Sequence, residues 1–511
     1  MTATPGPPPP IYPLAGTDTG APARRRRTKP RPGGAASWVW PAIHTSPLAL
    51  VGGAVLVSLG MSLRQSLLAL IIGCAVCVLP IGIGTLAGHR AGLPAVLVSR
   101  AWFGRVGQAG PALVATVAHL VWSAALACVL ALSVALATGS PGSAPVIGAA
   151  AVILASGCAA AGPRVLAWLG RIAAASGILA VAATLWATRS QVDLPAALTV
   201  GDGPWILVVT GTVLVASTVG LPWATAAGDL AAARGGDGTG AHPGARTLGR
   251  TGDLAAGSFL RTRGTGAALA VLAVVGATLP VVVIAGWGIL LATGSPPLAG
   301  GLVADPVGTI LGLLPGTLVP VVIGTTTLSL VTALALGLRS TALELRALEL
   351  RALDVPGWHA LRVAGAGAAV LALGAVLLSG IGGSPDILRD LITTLAVPTA
   401  AWTGITASEL ALRRRRLHRA CLEGPGIYPD VAWGALAGFA VAIVAGFGFT
   451  TAEAPWLAGQ GYLFVVAGIP LDGDLASADL GVILALLVGL ATPLLAGTRA
   501  IGHQEAMAPP R

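Results

Sequence analysis

Apolar runs of roughly 20 residues recur along the whole chain, the length an α-helix needs to cross a bilayer. Twelve are distinguishable: 43–62, 65–87, 109–137, 144–162, 171–189, 205–227, 265–292, 315–337, 359–381, 388–411, 430–449 and 478–497. A backbone in lipid must satisfy its polar groups internally. The only architecture open to such a chain is therefore an all-α polytopic membrane protein. Composition agrees, with 10% charged residues against about 25% in soluble domains.

The positive-inside rule tests the count. With a cytoplasmic N-terminus, only Arg64, Arg189 and Arg389 of the 30 basic residues fall on the outer side. Twelve spans with both termini cytoplasmic follow. The net charge of +10 then reports topology and attraction to the lipids of an anionic inner leaflet. A nucleic-acid partner is not expected, because no folded soluble domain gathers the basic residues. One lysine, Lys29, beside 29 arginines suggests a GC-rich genome and a bacterial plasma membrane.

The expected organisation is a disordered Pro/Arg-rich tail (1–36), six spans (37–227) and a Gly/Arg-rich cytoplasmic loop (228–264). Spans seven to ten (265–411), a basic loop (412–429), spans eleven and twelve (430–497) and a short tail (498–511) follow. Cys74 and Cys77 form a CxxC inside an apolar span, where small-residue packing is the expected role. No nucleotide-binding, zinc-hydrolase or nucleophile-elbow motif is present. The spans as drawn contain no pair of buried carboxylates. An enzyme or primary pump is not expected, and no cofactor beyond a coupling Na+ or H+.

In transporters with internal repeats, Gly/Pro-interrupted spans in corresponding positions mark the site. Span one holds Gly52-Gly53; span six ends in Gly220-Leu-Pro222-Trp223, with Asp229 six residues on. These correspond if the chain is two five-span repeats of opposite orientation (43–189 and 205–411) plus two helices. Pro222, Gly52 and Asp229 are then expected at helix breaks or gates, and Gly53 and Gly220 beside a solute.

In "HLVWSAAL" of span three, His119 and Trp122 share one helix face, and Trp122 lies near the midplane, where a flat aromatic can stack on a planar ligand. His119, a rare titratable group at depth, can carry a coupling proton or stay neutral with a bond to a backbone carbonyl. Span eight supplies Thr325, Thr326, Thr327, Ser329 and Thr332. These hydroxyls either bond back to their own helix or join carbonyls of an opened span one around a small hard cation.

The residues in this order resemble the nucleobase–cation symport family of purine–cytosine permeases and their allantoin- and hydantoin-transporting relatives. The stretch "AGLPAVLVSRAWFGRVG" (91–107) is similar to the family's loop between spans two and three, and "LPWATAAGD" to its span-six segment. "DPVGTILGLLPG", "LRSTALELRAL", "VPTAAWTGITASELALRRRR" and "YPDVAWGALAGFAVAI" follow in family order. The resemblance implies a LeuT-type five-plus-five inverted repeat with two further C-terminal helices. A planar solute would lie between Trp122 and Trp223, and a sodium ion between spans one and eight at Ser329 and Thr332. Family amides are replaced by Leu126 after Trp122, and by Leu334 and Gly337 in span eight. A buried base edge left unpaired costs roughly 1–3 kcal/mol per group, so a typical purine or cytosine site is not expected.

The expected function is cation-coupled secondary import, by alternating access, of a small planar nitrogenous solute such as a nucleobase (cytosine or purine) or an allantoin- or hydantoin-like compound, with no catalytic residues. The alternative is a family-derived membrane protein that no longer transports and acts as a sensor or assembly partner.

Overall fold

Thirteen principal helices, and no strand, make up the described residues of the computed structural model, which are 38–232, 256–348, 358–381, 386–413, 417–424 and 426–507. The tail at 1–36 and most of the loop at 228–264 lie outside them, as do Arg414 to Arg416 and 508–511. The helices are α1 (Val39–His44), α2 (Pro47–Ser58), α3 (Leu63–Ala91), α4 (Ala109–Ala137), α5 (Pro141–Ala160), α6 (Pro163–Gln191) and α7 (Ile206–Ala232). Then come α8 (Ala256–Gly294), α9 (Val319–Leu348), α10 (Trp358–Ile381), α11 (Asp386–Leu412), α12 (Trp433–Gly448) and α13 (Leu480–Met507).

Nine helices among the described residues are long and apolar enough to cross a membrane. The other three expected spans fall on α1 with α2, on α12, which is short, and on α11, which carries Arg389, Asp390 and Glu409. Large apolar side chains such as Ile153, Leu179, Val376 and Leu495 are left exposed on the outer faces of the bundle. A patch of that extent is unstable in water and natural in lipid.

Without a hydrophobic drive between helices in lipid, small residues decide where backbones can meet. Gly53 of α2 crosses α8 so closely that a Cβ would sit 2.0 Å from the Ala285 carbonyl oxygen. Gly84 and Gly88 of α3 do the same against Ala224 and Gly228 of α7, at 2.1 and 2.0 Å from carbonyl oxygens.

The first span is interrupted, but not at Gly52-Gly53 as expected. Both glycines lie inside the regular α2, Gly53 as the contact on α8 and Gly52 facing open space. The chain opens instead at Thr45-Ser46, between α1 and α2. Pro47 is the cause: it disfavours helical geometry at the preceding residue, and Ser46 is extended, its hydroxyl accepting from the Leu48 amide. The break in α7 falls where expected. Regular helix ends at Val219, Leu221 to Trp223 form one 3₁₀ turn, and helix resumes at Ala224. Opposite it, α3 widens into a π turn at Val78–Ile83 around Pro80. A Cβ on Gly220 would meet Cys77 Sγ at 2.8 Å and Pro80 Cγ at 2.9 Å. Gly220 thus serves close packing, and Cys77 is part of that packing.

The loop at 91–107 and the segment at 428–434, which both carry the family resemblance, lock together. The amides of Arg105, Val106 and Gly107 donate to the Pro429 and Asp430 carbonyls, and Ala432 donates to Phe103. Gly104, at φ +89°, is required there: a Cβ would lie 2.6 Å from the Asp430 carbonyl oxygen.

Candidate functional site

The two breaks meet. His44, at the end of α1, is buried with Nδ1 3.0 Å from the Trp40 carbonyl oxygen and Nε2 3.3 Å from that of Val219. Carbonyl oxygens only accept, so the ring nitrogen that carries the proton donates to one of them while the other nitrogen faces the second. His44 therefore ties the first-span break to the last regular residue before the α7 break. Sequence reasoning passed over it, though a histidine two residues before a Ser-Pro interruption was a readable signal.

Beside the α7 break stand the two tryptophans. Trp122 from α4 and Trp223 from the 3₁₀ turn are both buried, with ring centroids 6.4 Å apart and planes at 83°. This edge-to-face contact is worth about 0.5–1.5 kcal/mol beyond area burial. Two parallel plates holding a planar ring need about 7 Å, two van der Waals contacts. In this conformation the indoles touch, and a solute between them requires them to separate. The Trp122 Nε1–H is buried without an acceptor. A space of about 10 Å³, room for roughly one water molecule, adjoins Trp122 and Pro222. Ala118 and the α11 residues Ile392, Leu395 and Thr399 close it. The contribution of α11 was not anticipated from sequence.

The hydroxyls of α9 divide between the two roles foreseen for them. Thr325 and Thr332 donate to the carbonyls of Val321 and Leu328, four residues back in their own helix. Ser329 Oγ instead donates to the Ala42 carbonyl of α1 at 2.6 Å, and Thr326 Oγ1 lies 3.1 Å from Ser46 Oγ. The Thr45 hydroxyl is buried there without a partner. The α1–α9 seam is thus lined by neutral oxygens, the donor set a hard cation takes.

His119 does not bond a carbonyl. Its Nδ1 donates to Glu344 Oε1 at 2.9 Å, both side chains being almost wholly buried. The same oxygen accepts from the Thr225 hydroxyl of α7 at 3.0 Å. Asp229, one turn further along α7, is also buried and accepts from the Ala95 amide at 3.0 Å. His119 Nε2, Glu344 Oε2 and Asp229 Oδ2 have no hydrogen-bond partner among protein atoms. The expectation of no buried carboxylate pair is therefore overturned. Span eight was expected to end at residue 337, whereas α9 continues through Glu344 to Leu348. Its terminus is braced by Gln108 and Arg100, which donate to the Ala347 carbonyl.

Among the sequence-derived candidates, the fold brings Trp122, Trp223, Pro222 and Gly220 together, with His119 one turn away on α4. Ser329 belongs to the separate α1–α9 seam, and Thr332 bonds its own helix. Gly52 and Gly53 stand apart from both. Glu344 and Thr225 were missed.

Comparison with known proteins gives a partial family match and a shared fold. Residues 25–229 match the model described as a permease for cytosine/purines, uracil, thiamine and allantoin. A search of curated proteins found no match. Among solved structures, the chain is similar to Mhp1, a nucleobase-cation-symport-1 family transporter, in a closed conformation with bromovinylhydantoin bound. That likeness has a TM-score of 0.63 and 17% identity, covering 93% of this chain and 96% of Mhp1. The inward-facing conformation of Mhp1 is similar at 0.56 and 19%, covering 93% and 94%. A Na+-coupled sialic acid symporter in a substrate-bound outward-open state follows at 0.53 and 14%, covering 91% and 90%. The fold is that of LeuT-type transporters, and the matched proteins are transporters rather than enzymes. The chain is thus similar to the cytosine/purine permease family over residues 25–229, less than half of its length, and shares the fold of LeuT-type transporters over nearly all of it.

Proposed function

We propose that the protein is a secondary symporter that moves a small planar nitrogenous solute across the membrane by alternating access. One observation carries the reading. Two buried indoles, Trp122 and Trp223, meet edge-to-face at the broken turn of α7, and separating them opens a flat slot. A break in a membrane helix is tolerable only beside protein or a cavity, and here it adjoins the space beneath α11. Leu126, Leu334 and Gly337 supply no side-chain amide, so the unpaired Trp122 N–H and the backbone around Gly220 are left to bind the solute edge. Hydantoin-like rings, with fewer edge groups than a purine, suit that site best.

The cation of such a cycle fits the α1–α9 seam, where the Ala42 carbonyl and the Thr45, Thr326 and Ser329 hydroxyls offer neutral oxygens to sodium. Thr332 remains a candidate fifth oxygen through its free lone pair. The arginine bias sets both termini on the cytoplasmic face of a plasma membrane.

The test is uptake into vesicles under imposed sodium or proton gradients, with labelled cytosine, hypoxanthine, allantoin and 5-substituted hydantoins. Accumulation of a hydantoin is expected, and its abolition in Trp122→Ala and Trp223→Ala. No accumulation of any of the four classes under either gradient sinks the reading.

A further inference from the structure

The polar cluster around Glu344 lies at the meeting of two helix groups. Glu344 on α9 and His119 on α4 belong to helices packed along each other, while Thr225 and Asp229 sit on the part of α7 that crosses α3 at Gly84 and Gly88. The Thr225–Glu344 bond is therefore a link between the groups. Two carboxylates and one imidazole share a space without exposed atoms, and each keeps one nitrogen or oxygen unpaired. Among the described residues, Arg339 is the other charged group facing the cluster; it attracts Asp229, and its Nε is buried without a hydrogen-bond partner. With Arg339 charged, His119 neutral and both carboxylates ionised, the four groups keep one uncompensated negative charge. Burying such a charge costs several kcal/mol after relaxation. Taking up one proton removes it.

We propose that His119, Glu344 and Asp229 form a proton-binding site distinct from the α1–α9 seam, and that loading it loosens the contact between α7 and α9. In the structure Glu344 acts only as an acceptor, from His119 and Thr225, and Asp229 only as an acceptor, from Ala95. A protonated carboxyl donates as well as accepts. Adding the proton to Glu344 gives Oε2 a hydrogen to share and weakens its hold on both donors. The Ala95–Val98 turn, whose first amide is held by Asp229, is then freed together with α7. The inference rests on the alternating-access reading only in treating that loosening as one step of a transport cycle; the proton site itself needs no solute.

The experiment uses the full chain in lipid nanodiscs, with protons as the ligand. Infrared difference spectra between alkaline and acidic buffer are expected to show a carboxylic-acid carbonyl band. It disappears in Glu344→Gln or in Asp229→Asn, and survives in Ser329→Ala. The second readout is maleimide labelling of Val98→Cys in a background with the native cysteines replaced. The labelling rate, divided at each pH by that of a solvent-exposed control cysteine to cancel the thiolate fraction, is expected to rise about tenfold on acidification, the factor given by one unit of pKa difference between the two states of the contact. In Glu344→Gln, which keeps shape and an acceptor oxygen, that dependence is lost. Absence of the infrared band, or its persistence in both carboxamide variants, overturns the proton site. A pH dependence of labelling that survives Glu344→Gln and vanishes in His44→Gln overturns the coupling and moves it to the α1–α7 tie. Failed uptake of every solute with the band intact counts against the transport reading and leaves the proton site standing.

Discussion

Two polar seams run beside α9, and they are built from opposite materials. Near its start, the Ala42 carbonyl, Ser46, Thr326 and Ser329 form a contact of neutral oxygens. About four turns on, His119, Glu344, Thr225 and Asp229 form one of ionisable groups with spare atoms. A seam of carbonyls and hydroxyls keeps its charge at every pH and responds to an added cation. A seam of carboxylates and imidazole changes its own charge and responds to a proton. One helix thus carries both kinds of sensitivity, at separate levels.

The contrast breaks first at Glu344. Glu344→Ala removes the acceptor for His119 and Thr225 in a region without solvent, and breaking a buried pair this way costs about 3–5 kcal/mol. Denaturant unfolding in detergent should show it, with Glu344→Gln much milder. Equal losses in the two variants would mean that packing, not charge, governs this seam.

A smaller effect is expected at the neutral seam. Ser329→Ala removes one hydrogen bond, worth about 0.5–1.5 kcal/mol, and should abolish sodium protection against unfolding while leaving the pH response intact. Combined with Glu344→Gln, its cost should add to within about 0.5 kcal/mol, as for sites more than about 10 Å apart. A larger coupling would make the two seams one.

The smallest effect separates charge from burial. Arg64 and Asp202 pair at the rim of the bundle, with Ser62 also donating to the carboxylate. The Arg64 hydrogen bond, then that of Ser62, holds the Asp202 carboxyl down at about 2. A depressed carboxyl stabilises above its ordinary range and loses that contribution as pH falls through the folded value. Arg64→Ala should lower the melting temperature slightly at neutral pH, and the difference should close on acidification toward pH 2. A difference that grows on acidification would reverse the assignment.

Most of the helical layout was legible because apolar length is a one-dimensional signal. The 3₁₀ turn at Leu221 to Trp223 was legible too, since Gly220 and Pro222 each disrupt a helix by local chemistry. The same logic misread the first span. Gly52-Gly53 looked like a break, yet a glycine in a membrane helix more often serves a crossing, and which helix crosses it is a tertiary fact. Pro47, with Ser46 before it, was the better local signal. Trp122 and Trp223 were found as a pair, but their edge-to-face meeting depends on how α4 and α7 dock. Glu344 was lost to a different cause. Apolar length ended span eight at residue 337, whereas α9 runs on to Leu348 with Glu344 buried against α4 and α7.

The length of α9 has a mechanical meaning. Thirty residues of unbroken helix make a rod of about 45 Å, longer than the roughly 30 Å hydrocarbon slab it crosses. Its rigidity keeps Ser329 and Glu344 about 22 Å apart along one axis, so the two seams answer separately to substitutions and can communicate only through movement of the whole rod.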